Sequence, residues 1–327
     1  MPTSILNKID RLLILIAEGD SRAAGQIRKA IRESECPEAE ARMKGVRAAL
    51  HLKQGQISKA EILIRTSWPR VRSTQARVEL AGRASKARIE LGLPLEARAL
   101  TDRCLVEAAG ADEETQALAL FDSAVSNYYC GAVDKARLRW SSALYLTERA
   151  HYRLAAEVNL AVIATESGDF ESAEAYLVSP VRGRCPRGLQ SFREVVRARV
   201  CEARGDLEGA VAAQELAIEL ASHCGALERA VLSVNLAKYL LLAGESGMAQ
   251  EVGVSMASLV FALEEERHKL AAAAALELSQ AAAAARISEE LIATCQQKFE
   301  ADKKAAVNRP GRRHLRPSRS ARSRRRK

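Results

Sequence analysis

Aromatic residues are scarce in this chain of 327 residues, of which they make up only 4%. A β-sandwich or β-barrel would need more aromatic and β-branched side chains and more turn residues. Ala, Leu, Glu and Arg, which lose little rotamer freedom in a helix, are abundant instead. The hydrophobic share of 48% is enough for a large core and excludes a disordered chain. The composition therefore predicts an all-α protein.

The sequence also lacks the short motifs that carry catalysis or bind nucleotides and metals. It contains no G-x-S-x-G, G-x-x-x-x-G-K-[ST], G-x-G-x-x-G or H-E-x-x-H motif. Its five histidines are scattered, and its seven cysteines are irregularly spaced with no C-x-x-C pair. We therefore expect a non-enzymatic protein with no metal and no other cofactor. The cysteines are expected to be reduced, mostly buried thiols of a cytoplasmic protein.

Long hydrophobic runs are absent as well. No run approaches the roughly 18 apolar residues that a membrane-spanning helix needs. The longest early run covers residues 12–17, follows three charged residues and precedes no signal-peptide cleavage motif. The sequence predicts neither a targeting segment nor a transmembrane helix.

Positive charge is concentrated at one end of the chain. The formal net charge is +9, from 50 Lys and Arg against 41 Asp and Glu. Ten of the 50 lie in residues 308–327, which contain no acid, so the other 40 leave residues 1–307 with a net charge of −1. The basic residues of this tail are Arg309, Arg312, Arg313, Arg316, Arg319, Arg322, Arg324, Arg325, Arg326 and Lys327. Such a segment cannot bury enough apolar surface to order itself, and we predict a disordered tail.

Seven glycines recur at near-constant spacing, and each has an alanine five residues later. The intervals between the glycines are 36, 37, 39, 37, 37 and 39 residues. The pairs are Gly19/Ala24, Gly55/Ala60, Gly92/Ala97, Gly131/Ala136, Gly168/Ala173, Gly205/Ala210 and Gly244/Ala249. The same pair also occurs out of register at Gly25/Ala30, Gly82/Ala87 and Gly225/Ala230. The regular spacing, rather than the pair itself, therefore indicates an internal repeat.

Each repeat unit is predicted to be a helical hairpin. Glycine ends the first helix because it adopts the left-handed backbone conformation without a Cβ penalty. The alanine then lies on the second helix at the point where the two backbones come closest. After Gly131, residues Val133, Ala136, Trp140 and Ala143 recur at a spacing that places them on one helical face.

The sequence around two of these glycines resembles the tetratricopeptide (TPR) repeat. The likeness is carried by Gly168-Asp169-Phe170-x-x-Ala173-x-x-Tyr176-Leu177 and Gly205-Asp206-Leu207-x-x-Ala210, and by the triplets Asn159-Leu160-Ala161 and Asn235-Leu236-Ala237. It covers about residues 5–260, and the long period is similar to that of TPR arrays in kinesin light chains and in bacterial TPR regulators of transcription. The resemblance implies a right-handed α-solenoid of seven TPR-like hairpins, residues 1–263, whose first helices line a concave face.

Two segments depart from the repeat. Residues 264–307 contain two Ala-rich stretches but no repeat glycine. Because the last unit of a solenoid must meet water on one face, we predict a C-terminal capping helix pair there, followed by the disordered Arg-rich tail at 308–327. In the fifth unit, Ser179 and Pro180 precede a stretch rich in Gly and Arg. This composition predicts an early end of the second helix and an exposed loop at residues 182–188.

The TPR resemblance implies that a peptide or protein partner binds on the concave face. Counted from each glycine, the positions expected there hold Arg83, Lys86, Asp122, Tyr128, Asn159, Arg199, Asn235 and Lys238. Asn side chains can hold a peptide backbone, and Lys or Arg can hold a carboxylate. The alternative is that these are ordinary solvated positions and that Phe121 and Tyr128 are packing residues. We predict a non-enzymatic protein–protein interaction scaffold.

The basic tail supports a second hypothesis, that of a nucleic-acid-associated regulatory protein. Polybasic arms bind phosphate backbones without sequence preference and are also attracted to anionic membrane surfaces. No aromatic residue lies among the basic ones, so base stacking is not expected. A solubilising tail or a chance extension of the chain would have the same composition. The sequence leaves the partner and the oligomeric state open.

Overall fold

The computed structural model describes residues 3–252, apart from 19, 21, 55, 181–182, 184, 223–225, 246 and 250. The helices assigned in this part of the chain alternate between the two arms of successive hairpins. The first helices are α1 (Thr3–Ala17), α3 (Pro37–Lys53), α5 (Thr74–Glu90), α7 (Glu113–Tyr129), α9 (Ala150–Glu166), α11 (Arg187–Ala203) and α13 (Ala226–Leu242). The second helices are α2 (Ala23–Arg32), α4 (Ile57–Ser67), α6 (Pro94–Ala108), α8 (Val133–Leu146), α10 (Phe170–Leu177) and α12 (Leu207–Leu220). A short 3-10 turn, Trp68–Arg70, follows α4.

The hairpins turn at the repeat glycines. Those with a left-handed backbone, with φ from 73° to 85°, are Gly92, Gly131, Gly168, Gly205 and Gly244. After Gly131 the backbone N–H of Ala132 donates to the carbonyl of Asn127 at 2.9 Å, which satisfies an orphan carbonyl at the end of α7. The predicted role of glycine is confirmed at these five positions. Gly19 and Gly55 lie outside the described residues.

The repeat alanines are buried within the hairpins. Six of them are fully buried, with 0% exposure: Ala60, Ala97, Ala136, Ala173, Ala210 and Ala249. The first hairpin departs from the pattern, because Ala24 is half-buried and Ala23, 1% exposed, is buried instead. Trp140 is 2% exposed and packs in the same core cluster as Ala136 and Leu160, as its position on the helical face predicts.

The first helices form an inner layer of the solenoid. From α1 to α11 each packs against its own second helix, and neighbouring first helices contact one another from α1 and α3 to α9 and α11. The inner layer also curves back on itself, because α1 touches α11. Asp10 of α1 pairs with Arg149, the residue before α9, with Oδ1 and Nη1 3.1 Å apart. The curvature produces a concave face lined by first helices.

Polar side chains link successive units at separations of one repeat. Arg42 of α3 and Glu79 of α5 are 37 residues apart and form a bidentate pair, with N···O distances of 2.5 and 3.2 Å. Their side chains are 0% and 5% exposed. Asp102 of α6 pairs with Arg139 of α8, also 37 residues on, at 2.6 Å. Because each pair joins equivalent helices of adjacent hairpins, these contacts hold the hairpins in register.

The fifth hairpin has the shortest second helix of those described. α10 has eight residues, whereas α8 and α12 each have 14, which confirms the predicted early end. Gly183 is exposed, but Cys185 is buried in the core cluster of α9 and α11. The prediction of an exposed loop at 182–188 is therefore wrong at Cys185 and Pro186, which are buried, and at residues 187–188, which begin helix α11. The physical reason is that a short α10 leaves this core to be covered by the residues that follow.

The described residues end shortly after the second helix of the seventh hairpin begins. They include α13 and the start of the helix that follows Gly244. The predicted capping helices at 264–307 and the predicted tail at 308–327 lie outside the described residues. In the part of the chain that is described, no helix is both long and apolar enough to cross a membrane.

Candidate functional site

The concave face holds a cavity of about 480 Å³, which we call the central cavity. Side chains of α1, α3, α5 and α7 line it, together with Arg149 and Tyr152 at the start of α9. The walls thus come from five successive hairpins. The volume lies within the range of about 300–1,000 Å³ that is typical of ligand pockets.

Three of the eight predicted groove residues line the central cavity: Arg83 and Lys86 on α5 and Asp122 on α7. The guanidinium of Arg83 donates a hydrogen bond to the backbone carbonyl of Glu79 at 2.6 Å. Lys86 is exposed, and no ion-pair partner for it is found among the described residues. The cavity therefore brings two positive groups close to one carboxylate.

The other five predicted groove residues lie outside the central cavity. Tyr128 is half-buried, and its hydroxyl donates to a carboxylate oxygen of Glu166 at 2.7 Å. Lys238 is exposed and forms an ion pair with Glu202. The remaining three are the exposed Arg199 and the half-buried Asn159 and Asn235. These five lie on α7, α9, α11 and α13, and Tyr128 and Lys238 already have protein partners.

Two acids in the wall of the central cavity are neutralised by arginines. Asp10 pairs with Arg149, whose Nε is also 3.1 Å from Oε1 of Glu114. Glu79 accepts both hydrogen bonds from the buried Arg42. Burial raises the pKa of Asp10, and the charge of Arg149 offsets this only in part. These pairs tie the first helices together around the cavity.

Asp122 differs from these acids because it has no such partner. Within the described part of the chain, no donor lies within hydrogen-bond or ion-pair distance of its carboxylate. Burial raises the pKa of Asp122 to about 7, and the nearby charge of Arg83 lowers it only in part. The side chain is half-buried and lines the cavity, so a ligand there can reach it.

Gly82 of α5 faces Asp122 across the gap between α5 and α7. A Cβ atom on Gly82 would overlap the Asp122 carboxylate. A glycine in the interior of a helix costs about 1 kcal/mol relative to alanine. The close approach of the carboxylate to the α5 backbone explains why this position is a glycine.

Aromatic side chains wall the cavity beside Asp122. The rings of Phe121 and Tyr152 meet edge to face, with their centroids 5.6 Å apart. Tyr129 also lines the cavity and is 58% exposed. Burial raises the pKa of Tyr152 further above its usual value, so its phenol stays neutral. The cavity therefore combines apolar surface with two carboxyl groups, of Asp122 and Glu90, that have no ion-pair partner among the described residues.

Several residues of the central cavity were not among those predicted from the sequence, notably Gly82, Tyr129, Arg149 and Tyr152. Arg149 and Tyr152 reach the cavity through the curvature of the inner layer, for which the repeat pattern gives no signal. The signal for Gly82 is present in the sequence, because a glycine in the interior of a predicted helix calls for a packing reason.

A second cavity, of about 650 Å³, lies between α4, α5 and α6 beside Trp68. None of the eight predicted groove residues lines it. Among the residues that the structure describes, no group of three or more His, Cys, Asp or Glu side chains is placed to hold a metal ion.

No protein-family model matches the chain, and no curated protein matches it. Among solved structures it is similar to a tetratricopeptide repeat protein from Parabacteroides merdae ATCC 43184, with a TM-score of 0.47 and 16% sequence identity. The match covers 84% of this chain and 98% of that chain. The helical hairpins described above are assigned from the glycines, helices and packing of this chain alone.

Proposed function

We propose that this protein is a non-enzymatic interaction scaffold that binds a peptide or protein partner in its concave groove. The observation that carries the proposal is the central cavity, a preformed space between first helices. Within the described residues, Lys86, Glu90 and Asp122 line it without an ion-pair partner, and Tyr129 exposes its ring. A preformed site reduces the entropy that binding costs, and aromatic side chains commonly anchor interfaces.

In this proposal the groove continues beyond the cavity along the later first helices. Asn159 lies on α9, Arg199 on α11, and Asn235 and Lys238 lie on α13. A partner in an extended conformation could reach one polar side chain on each successive unit. The groove proposal therefore predicts that substitutions at both ends of the array weaken binding of the same partner.

Affinity capture from native lysate at high salt tests this proposal. The full chain is compared with two double variants, Lys86→Ala with Tyr129→Ala and Asn235→Ala with Lys238→Ala. We expect both to lose the same proteins, as measured by quantitative mass spectrometry. Tyr145→Ser on the second helix α8, where Tyr145 is 88% exposed, is the matched control and should keep them. If both double variants show unchanged circular dichroism and keep every partner, the groove is not the binding surface.

The charge of residues 308–327 favours the second hypothesis, that of nonspecific contact with nucleic acid. Ten basic residues without an acid would release counterions on binding, so log K should fall with log salt by about 0.9 per neutralised phosphate on duplex DNA. The test compares the full chain with a variant in which these ten residues are serine. Duplex DNA binding that is equal in both proteins would rule the hypothesis out.

A further inference from the structure

We propose that Asp122 and the walls of the central cavity form a subsite for a cationic side chain of the partner, a lysine ammonium or an arginine guanidinium. This inference deepens the proposed function and rests on it, since it names the chemistry of a group that the groove would recognise. The observations that support it are the approach of Asp122 to Gly82, the lack of an internal partner, and the aromatic walls.

The first observation is the geometry at Gly82. Because a Cβ there would overlap the Asp122 carboxylate, the helix α5 accepts a residue of low helix propensity at this point. The result is a carboxylate held against the backbone of α5 and open to the cavity. Glycine at position 82 therefore leaves the space that the Asp122 carboxylate occupies.

The second observation is the missing partner. Asp10 and Glu79 line the same cavity, and each is paired with an arginine of the chain. Asp122 has no equivalent donor among the described residues, although desolvation makes its ionised form costly. A buried carboxylate gains more than an exposed one when a cation arrives, because the attraction is screened less.

The third observation is the aromatic surface beside the acid. Phe121 precedes Asp122 on α7, and Tyr152 packs edge to face against Phe121. Lysine and arginine have long apolar stems below the charged group, and aromatic faces attract cations. A side chain that lays its stem along these rings could place its charge at the Asp122 carboxylate.

The charged groups that line the cavity around Asp122 are of both signs: Arg83 and Lys86 are cationic, and Glu90 is a second carboxyl group without an ion-pair partner among the described residues. Arg83 of α5 donates to the carbonyl of Glu79, and Arg149 before α9 is shared by Asp10 and Glu114. An anionic group could use Lys86, but it would lie in the same cavity as the Asp122 carboxylate and be repelled by it. The other titratable groups nearby stay neutral around pH 7: Cys104 of α6, with a pKa of about 11, Tyr152, and His151, with a pKa of about 4.

The pKa of Asp122 near 7 gives the subsite a characteristic pH dependence. A cation binds the ionised carboxylate, whose fraction rises from about 0.1 at pH 6 to about 0.9 at pH 8. Affinity for a cationic side chain should therefore be about tenfold stronger at pH 8 than at pH 6. A ligand carboxylate bound by Arg83 and Lys86 would show the opposite trend.

Three degenerate hexapeptide pools, with lysine, norleucine or glutamate fixed at a central position, test the inference on the full chain. Binding is measured by fluorescence anisotropy at pH 6 and pH 8. We expect the lysine pool to bind at least about tenfold more tightly than the norleucine pool at pH 8, as a charge-assisted hydrogen bond would give. Asp122→Asn should abolish this preference, and Asp134→Asn on the exposed face of α8 should keep it.

The outcomes separate this inference from the proposed function. Equal binding of the lysine and norleucine pools, lost in the Lys86→Ala and Tyr129→Ala double variant, would overturn the cation subsite and leave the groove proposal standing. Preference for the glutamate pool, or no binding of the lysine pool at millimolar concentration, would also overturn the subsite. If Asp122→Asn fails to fold, the wild-type protein alone decides the case. Its affinity for the lysine pool should be about tenfold higher at pH 8 than at pH 6, and an affinity that does not rise with pH would overturn the subsite.

Discussion

Replacing Asp122 by asparagine should stabilise the protein at pH 8. Burial raises the pKa of this carboxyl from 3.8 to about 7. Because the native state holds the proton more tightly than the unfolded chain, stability is lost as the pH rises from about 4 to about 7. A shift of about 3 units corresponds to about 4 kcal/mol in the free energy of unfolding. Asparagine has the shape and neutrality of the protonated acid, so the variant avoids this loss.

Urea unfolding followed by circular dichroism at pH 5 and pH 8 measures the effect. The advantage of Asp122→Asn should be about 4 kcal/mol at pH 8 and smaller by about 3 kcal/mol at pH 5. Asp102→Asn is a control of opposite sign: although burial opposes it, hydrogen bonds from Ser123 and Arg139 lower the pKa of Asp102. The reasoning is refuted if Asp122→Asn is no more stable than wild type at pH 8, or if its advantage is equal at both pH values.

Three further predictions concern the array itself and can be checked by the same unfolding measurements. Glu79→Gln removes the carboxylate of the bidentate pair with the buried Arg42 and should cost about 3–5 kcal/mol, whereas replacing both residues with apolar ones should recover much of this. Gly131→Ala, at a φ of 75°, should cost about 1–2 kcal/mol, whereas Gly110→Ala, where a Cβ meets open space, should cost less than 1. Ala136→Leu should cost about 1–3 kcal/mol by overpacking the hairpin, and a neutral result would contradict the assigned contact.

The hairpins could be predicted from the sequence because their determinants are local. A left-handed glycine at Gly131 and a fully buried alanine at Ala136 both follow from requirements within one unit. The same reasoning was wrong at Cys185, where the short helix α10 leaves part of the core to a loop. Burial there depends on what the neighbouring helices leave uncovered, which the repeat pattern does not encode.

The candidate site could be predicted only in part. Counting from the repeat glycines gave Arg83, Lys86 and Asp122, because side chains at fixed offsets on the first helices face the same side. The count gave Tyr128 rather than Tyr129, although Tyr129 is the tyrosine that lines the cavity. One residue corresponds to about 100° around a helix, so an offset error of one position exchanges a packed side chain for an exposed one.

The central cavity is formed by several hairpins together, because the inner layer of first helices curves back on itself. Asp10 and Arg149 are 139 residues apart in sequence, yet their side chains form an ion pair. Each hairpin is rotated slightly relative to the one before it, and these rotations add along the solenoid. The distance between α1 and α9 therefore depends on the packing of every hairpin between them. A larger side chain at one intervening contact, such as Ala136, would move opposite walls of the cavity while leaving the other hairpins intact. The shape of the central cavity is thus set in part by residues that do not line it.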